Sequence, residues 1–252
     1  MKLLYLTALI GLLPLCSNAL QKEKSLPEFS GEFLYAVRTD EDTRAFEQQL
    51  AETSADQLLK ELPDDVARKT FWINIYNAWY QILAGRERLT APDIFSSARL
   101  SFKGFKLSLD DIEHGILRKY RAKYGLGVVP DVLAGQTIRA LAVEEPDFRI
   151  HFALNCGAKS CPPIAFYSRE KLDQQLELAT TGFLKADCRI DQRTRTISVT
   201  RIMEWFIGDF GGKPGQRKIL SRYLGGDFSK WAIVYHDYDW TPQLKNFSSE
   251  KP

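Results

Sequence analysis

The sequence predicts an α+β fold: one mainly helical domain with a small antiparallel sheet. Three observations predict it. From about residue 64 to 84, apolar residues recur at helical spacing, with Phe71, Ile75, Ala78 and Ile82 in one row and Trp72, Tyr76, Trp79 and Leu83 in another. Residues 99–109 and 188–200 instead alternate around short turns, the pattern of two hairpins. Between the elements there is no internal repeat, low-complexity tract or second long apolar run.

Residues 1–19 read as an address. Lys2 is followed by Leu3 to Leu15, apolar apart from Thr7 and too short to span a bilayer, and then by the small residues Ser17 and Ala19. This pattern predicts cleavage before Leu20, export to a periplasmic or extracellular space, and a single globular domain over residues 20–252. Cys16 offers a lipid-anchored alternative, but Pro14 and Leu15 stand where that pathway wants small residues. Residues 20–30 read as polar and turn residues with no helical continuation.

Residues 40–62 are predicted helical, with Phe46, Leu50, Leu58, Leu59 and Leu62 apolar. Pro63 and two acids open the strongest helix, over 64–84, and Gly85 ends it. Thr70, Asn74, Asn77 and Gln81 form one polar stripe on this helix. A solvent face of that length would normally carry Lys or Glu, so the stripe is read as a buried, hydrogen-bonded network. After the hairpin around Gly104, Ser108 or Asp110 can cap a helix from about Asp111 to Tyr124, which carries Glu113 and His114.

Arg149 to Leu154 reads as a strand, leading into a turn at Asn155-Cys156-Gly157. Period-two alternation then places Cys156 on the face opposite His151. A helix is predicted over 168–184 and a short aromatic one over 201–210, broken by Gly211-Gly212-Lys213-Pro214-Gly215. A helical stretch over 218–224, a strand over 231–235 and a loose tail from Pro242 complete the chain.

Lys and Arg number 34 against 32 Asp and Glu, a formal net charge of +2, which argues against nucleic acid as the main partner. No transmembrane segment is expected after residue 19, and no cofactor is implied. Asp209-Phe210-Gly211 copies a metal-binding triplet of protein kinases, but none of the other kinase motifs accompanies it. Asp110-Asp111 and Glu144-Glu145 read as caps and solvated turns.

Chemistry concentrates in Arg149–Pro163, which holds His151, Cys156 and Cys161. Three stretches carry a family resemblance: Phe71-Trp72-Ile73-Asn74-Ile75-Tyr76-Asn77-Ala78, the run from Leu109 to Arg118, and the run from Arg149 to Pro163. With Trp205, Asp209-Phe210 and Tyr238-Asp239-Trp240, they resemble the domain of unknown function 547 over most of residues 65–240. The resemblance implies that Asn74, Asn77, Glu113, His114, His151, Cys156 and Cys161 belong to the family pattern. The family name carries no activity.

Three readings follow. In a thiol-dependent acyl transferase or amide/ester hydrolase, Cys156 is the nucleophile, free and not bridged to Cys161, and His151 or His114 is the base. Glu113, Asn74 or Asn77 orients that base, and the backbone amides of the Gly157-Ala158-Lys159 turn bind an oxyanion. In a metal site, His114, His151, Cys156 and Cys161 are the ligands, a set that suits zinc at an unusual spacing. In a non-enzymatic binding or structural protein of the cell envelope, Cys156 and Cys161 close a small disulfide loop and Cys188 remains as the odd thiol. The substrate or partner is unknown in each.

Overall fold

A computed structural model of the chain describes residues 24–249. The expected signal segment, Cys16 and the Leu20 start lie outside the described residues. The elements run in the order α1 (Leu26–Arg38), α2 (Arg44–Glu52), α3 (Ala55–Glu61), α4 (Asp65–Gly85) and α5 (Asp93–Ser96). Then come strands β1 (Leu100–Phe102) and β2 (Phe105–Leu107), a π-helix (Asp111–Leu117), α6 (Gln136–Leu141) and a 3₁₀ helix (Phe148–Phe152). The chain continues through α7 (Leu172–Asp187), β3 (Arg189–Asp191), β4 (Thr196–Val199), α8 (Ile202–Trp205), α9 (Gly212–Leu224) and β5 (Ala232–Tyr235). The fold is α+β and mainly helical.

Helix α4 is the axis of the larger core. Asp64 caps it by accepting from the Ala67 N–H at 2.9 Å. Every residue from Lys69 to Leu83 is buried, so the helix has no solvent face along that stretch. Helix α1 packs along it. That helix corrects the turn reading of this region from Leu26 onward. Pro27 sits in its first turn, where a missing N–H costs nothing, and Glu28 accepts from the Ser25 N–H at 2.9 Å in a capping box.

The polar stripe of α4 is buried and fastens the segment that carries the cysteines. Asn74 donates to the Tyr167 carbonyl at 2.8 Å and accepts from the Tyr167 N–H at 3.1 Å. Asn77 donates to the Ala153 carbonyl and accepts from the Asn155 N–H, both at 2.9 Å. Gln81 accepts from the Lys245 N–H at 2.8 Å. Truncating Asn77 therefore strands two buried backbone groups at once. Asn77→Ala is expected to cost roughly 1–3 kcal/mol, read as a lower urea midpoint with an unchanged slope. An unchanged midpoint would show that these bonds hold nothing together.

Strands β1 and β2 form the expected hairpin, with Leu100 paired to Leu107 and Gly104 turning at φ +90°. Strands β3 and β4 form the second antiparallel pair. Strand β5 then joins β4 in parallel, so the three-stranded sheet is mixed. With α7, α8 and α9 this sheet encloses a second core of Phe152, Leu184, Ile197, Val199, Met203, Phe210 and Leu220.

Four local expectations are corrected. Arg149–Leu154 is not a strand: residues 148–152 form a 3₁₀ helix, capped by the Asp147 carboxylate accepting from the Arg149 N–H. A six-residue alternation fits a threefold turn as well as a pleat, and among the described residues no strand pairs with it. The helix expected to Tyr124 stops at Leu117, because Lys119 and Tyr120 take left-handed φ values of 53° and 47°. The aromatic helix expected over 201–210 covers only Ile202–Trp205, and the stretch expected over 218–224 begins at Gly212: the glycine-rich run also opens α9, with Gly211 left-handed at the cap and Pro214 in the first turn. The tail is tied down rather than loose: Gln243 N–H donates to the Gly157 carbonyl at 2.7 Å, and Ser248 N–H to the Ile164 carbonyl at 2.8 Å.

Candidate functional site

The two cores meet at the 3₁₀ helix. Ile150 and Ala153 enter the larger core and Phe152 enters the smaller. His151 is left facing a cavity of about 430 Å³ that opens along this seam. One wall is Tyr76, Asp110, Glu113 and His114, the other Ile202, Trp205, Phe206 and Tyr238, with Cys156 and Cys161 between.

The π-helix delivers Glu113 and His114. Ser108 starts it: its hydroxyl accepts from the Asp111 N–H at 3.0 Å, and the Asp111 carboxylate accepts from the Ser108 N–H at 2.8 Å. Segments of this wide geometry are frequent at functional sites. Glu113 accepts from the Tyr76 hydroxyl at 3.1 Å. Burial, then the neighbouring Glu113 charge, raise the Tyr76 pKa well above its ordinary value, so the hydroxyl remains a donor.

Beneath this wall lies a buried charge relay. Asp209 Oδ2 accepts from His151 Nε2 at 2.8 Å and from Arg118 Nε at 2.6 Å. Arg118 is 1 % exposed, stacks over the Phe206 ring at 4.5 Å and lies 2.7 Å from His114 Nδ1 through Nη1. The His151 ring stacks on the other part of this cluster, 4.0 Å from the Phe206 centroid. Burial pushes the Asp209 carboxyl up, but the bonds from His151 and Arg118 outweigh it and hold the group below the usual carboxylate range. Burial pulls the His151 pKa down, against the opposing pull of Asp209. The pair thus rests as carboxylate and neutral imidazole at neutral pH.

Hydrogen-bond partners assign the ring protons. Arg118 can only donate, so His114 Nδ1 is an acceptor and its proton is on Nε2, which lies 3.5 Å from Asp110. Asp209 is an acceptor, so His151 carries its proton on Nε2 and keeps Nδ1 as the basic nitrogen. Of the two histidines, only His151 has its basic nitrogen uncommitted to Arg118.

Cys156 and Cys161 are joined in a disulfide, as the binding or structural reading expects; the free Cys156 thiol that the enzyme reading expects is not what the fold holds. The Tyr238 hydroxyl touches both sulfurs, at 3.3 and 3.1 Å, and burial raises its pKa so that it too stays protonated. Gly157 turns the chain at φ +73°, its backbone so close to the Tyr80 ring that any Cβ would collide with it. Asn155 holds both sides of the loop, accepting from the Gly157 N–H at 2.9 Å and donating to the Pro162 carbonyl at 2.7 Å.

Among the expected site residues, Glu113, His114, His151, Cys156 and Cys161 line one cavity. Asn74, Asn77 and Gly157 stand behind the wall and position it. Lys159 is on the surface, paired with Asp239 at 3.3 Å. The Gly157 and Lys159 amides already donate to Asn155 and to the Thr241 carbonyl, so they are not an oxyanion pair. Cys188 is separate, its thiol pushed up to about 12 by burial. Among the described residues no three His, Cys, Asp or Glu side chains are arranged to hold a metal ion. The two cysteines bind each other, and the histidines face Arg118 and Asp209.

Asp209, Arg118, Tyr76 and Tyr238 are site residues that the sequence alone does not single out. Asp209 sits in a kinase-like triplet without kinase context, and its place among the family-like stretches is the signal that points to it.

Neither a curated protein nor a solved structure matches the chain. The family model described as "Protein of unknown function, DUF547" matches residues 59–184, half of the sequence. The match spans the stripe of α4, the π-helix and the cysteine loop, and ends before Asp209 and Tyr238. By that match the chain belongs to the DUF547 family.

Proposed function

We propose that the protein is an exported thiol-dependent acyl transferase or amide/ester hydrolase, in which Cys156 is the nucleophile, His151 the base and Asp209 the group that orients it. The observation that carries this reading is the His151–Asp209 hydrogen bond at 2.8 Å, which makes Nδ1 the basic nitrogen of a histidine that lines one cavity with Cys156. The burial of His114, Arg118, His151 and the Asp209 side chain, with Glu113 half-buried beside them, supports it, since charges are costly to bury and cluster at functional sites. The Lys2 to Ala19 pattern supports export.

A dithiol reductant supplies two electrons and two protons to the Cys156–Cys161 bond and itself becomes a disulfide. Cys156 then passes its proton to His151 Nδ1, and the thiolate attacks the acyl carbon. The Cys156 N–H, which points at the Cys161 sulfur at 3.0 Å, and the Tyr238 hydroxyl are the donors for the developing oxyanion. His151 returns the proton to the departing amine or alcohol, leaving a thioester. Water or another acceptor, losing its proton to His151, releases the acyl group and restores the thiol.

Alkylation with peptide mapping tests this. Unreduced protein is expected to yield a linked Cys156–Cys161 peptide and no label on Cys156. After mild reduction, Cys156 should label rapidly below about pH 7, well ahead of Cys188. Labelling of Cys156 only above about pH 8.5, where an ordinary thiol ionises, overturns the proposal. That result favours a second reading, a binding protein with a permanent disulfide. It has its own support in the Tyr238 hydroxyl, which covers both sulfurs.

A further inference from the structure

Residues 124–135 read Tyr-Gly-Leu-Gly-Val-Val-Pro-Asp-Val-Leu-Ala-Gly, with one charge. The segment is irregular, yet its backbone is fixed. Ala122 N–H donates to the Val129 carbonyl at 2.9 Å, Gly208 N–H to the Leu126 carbonyl at 2.7 Å, and Arg121 to the Gly127 carbonyl. The Arg139 guanidinium gathers the carbonyls of Asp131, Val132 and Ala134. These bonds hold apolar side chains out in water: Tyr124 is 88 % exposed, Val132 77 % and Leu133 89 %. A hydrophobic surface that the fold itself keeps exposed marks an interaction site.

We infer that this loop docks on an anionic phospholipid bilayer. Its carbonyls are largely engaged within the protein, so it offers no strand edge for a partner to pair with, and it presents single side chains rather than a groove. A deformable apolar phase suits that shape. The charges suit an anionic surface: Lys119 precedes the run and Arg139 follows it, against the one acid within it, Asp131, while Lys123 and Arg121 are paired with Asp110 and Asp209. Tyr124 and the 57 % exposed Trp240 stand at the rim, the side chains that favour headgroup depth. Tyr124, Leu126 and Trp240 also line the main cavity, so docking opens the cavity toward the lipid phase. The inference is independent of the chemistry of Cys156.

Two measurements on the purified full chain test it. The first is co-sedimentation with phosphatidylcholine vesicles that contain phosphatidylglycerol, for the wild type and for a Val132→Asp, Leu133→Asp variant. Both proteins carry the same N-terminal segment, so their difference reads the loop. Binding should fall by about tenfold or more in the variant, with its thermal midpoint unchanged because both sites are exposed. Added salt should weaken the wild type. The second places a reporter in the loop: with Leu133→Trp, brominated lipid should quench the added fluorescence. Equal binding of the two proteins, or an unquenched reporter, overturns the inference. So does wild-type self-association that the aspartate variant abolishes, which would make a second copy the occupant.

Discussion

Asp209→Ala is expected to lower the thermal midpoint by on the order of 10 °C. The carboxylate is the counter-charge for Arg118, which is 1 % exposed and holds it at 2.6 Å. Removing one member of a buried ion pair leaves the other charged and dry, a loss of roughly 3–5 kcal/mol. In a chain of this size each kcal/mol moves the midpoint by roughly 2–4 °C. Arg118→Met in the same background should recover part of the loss, because it removes the stranded charge while keeping apolar contact with Phe206. If the double variant is no more stable than Asp209→Ala, the pair is not coupled and this account fails.

The same cluster sets a pH dependence. The Asp209 carboxyl lies below its ordinary value in the fold, so its contribution is complete above about pH 3.9 and is lost as pH falls through the lower folded value. His151 is held neutral by burial, whereas the unfolded chain protonates it near pH 6.5. Below that pH the unfolded state binds the extra proton, so stability should decline with acid from there. The decline ends once the folded His151 protonates too. Denaturant midpoints across this window measure both contributions.

How far the sequence led depends on the length of the pattern. Helix α4 repeats its apolar rows through more than three turns, and its amide stripe is conspicuous because Asn74 and Asn77 stand where Lys or Glu would face water. The hairpin at Gly104 has a turn residue and matched alternation on both sides. The segment from Arg149 is ambiguous because six residues cannot separate period two from period three. That misreading set Cys156 against His151, since only a pleat puts them on opposite faces. The π-helix follows from no periodic signal at all: it depends on tertiary packing around Gly115 and Ile138 and on Glu113 meeting Tyr76. Asp209 was illegible for a different reason. It is 58 residues from His151 in the chain, and its role exists only once the second core has folded against the first.

With the disulfide reduced, His151→Ala is expected to slow acylation of Cys156 by an activated ester by about 10²–10⁴-fold, the usual contribution of a positioned base. His114→Ala should cost far less, because His114 Nδ1 is occupied by Arg118 at 2.7 Å. The pH profile carries a second signature. Burial keeps His151 neutral below its ordinary range, so the wild-type rate should hold to lower pH than a free imidazole would allow. Removing the Asp209 hydrogen bond frees the imidazole to turn or change tautomer, so Asp209→Asn should lose rate even in samples that remain folded. His151→Asn serves as a control for volume and stacking. Equal losses in the His151 and His114 variants, or a Cys156 rate indifferent to both, would place the base elsewhere and leave the cavity as a binding site with a structural disulfide.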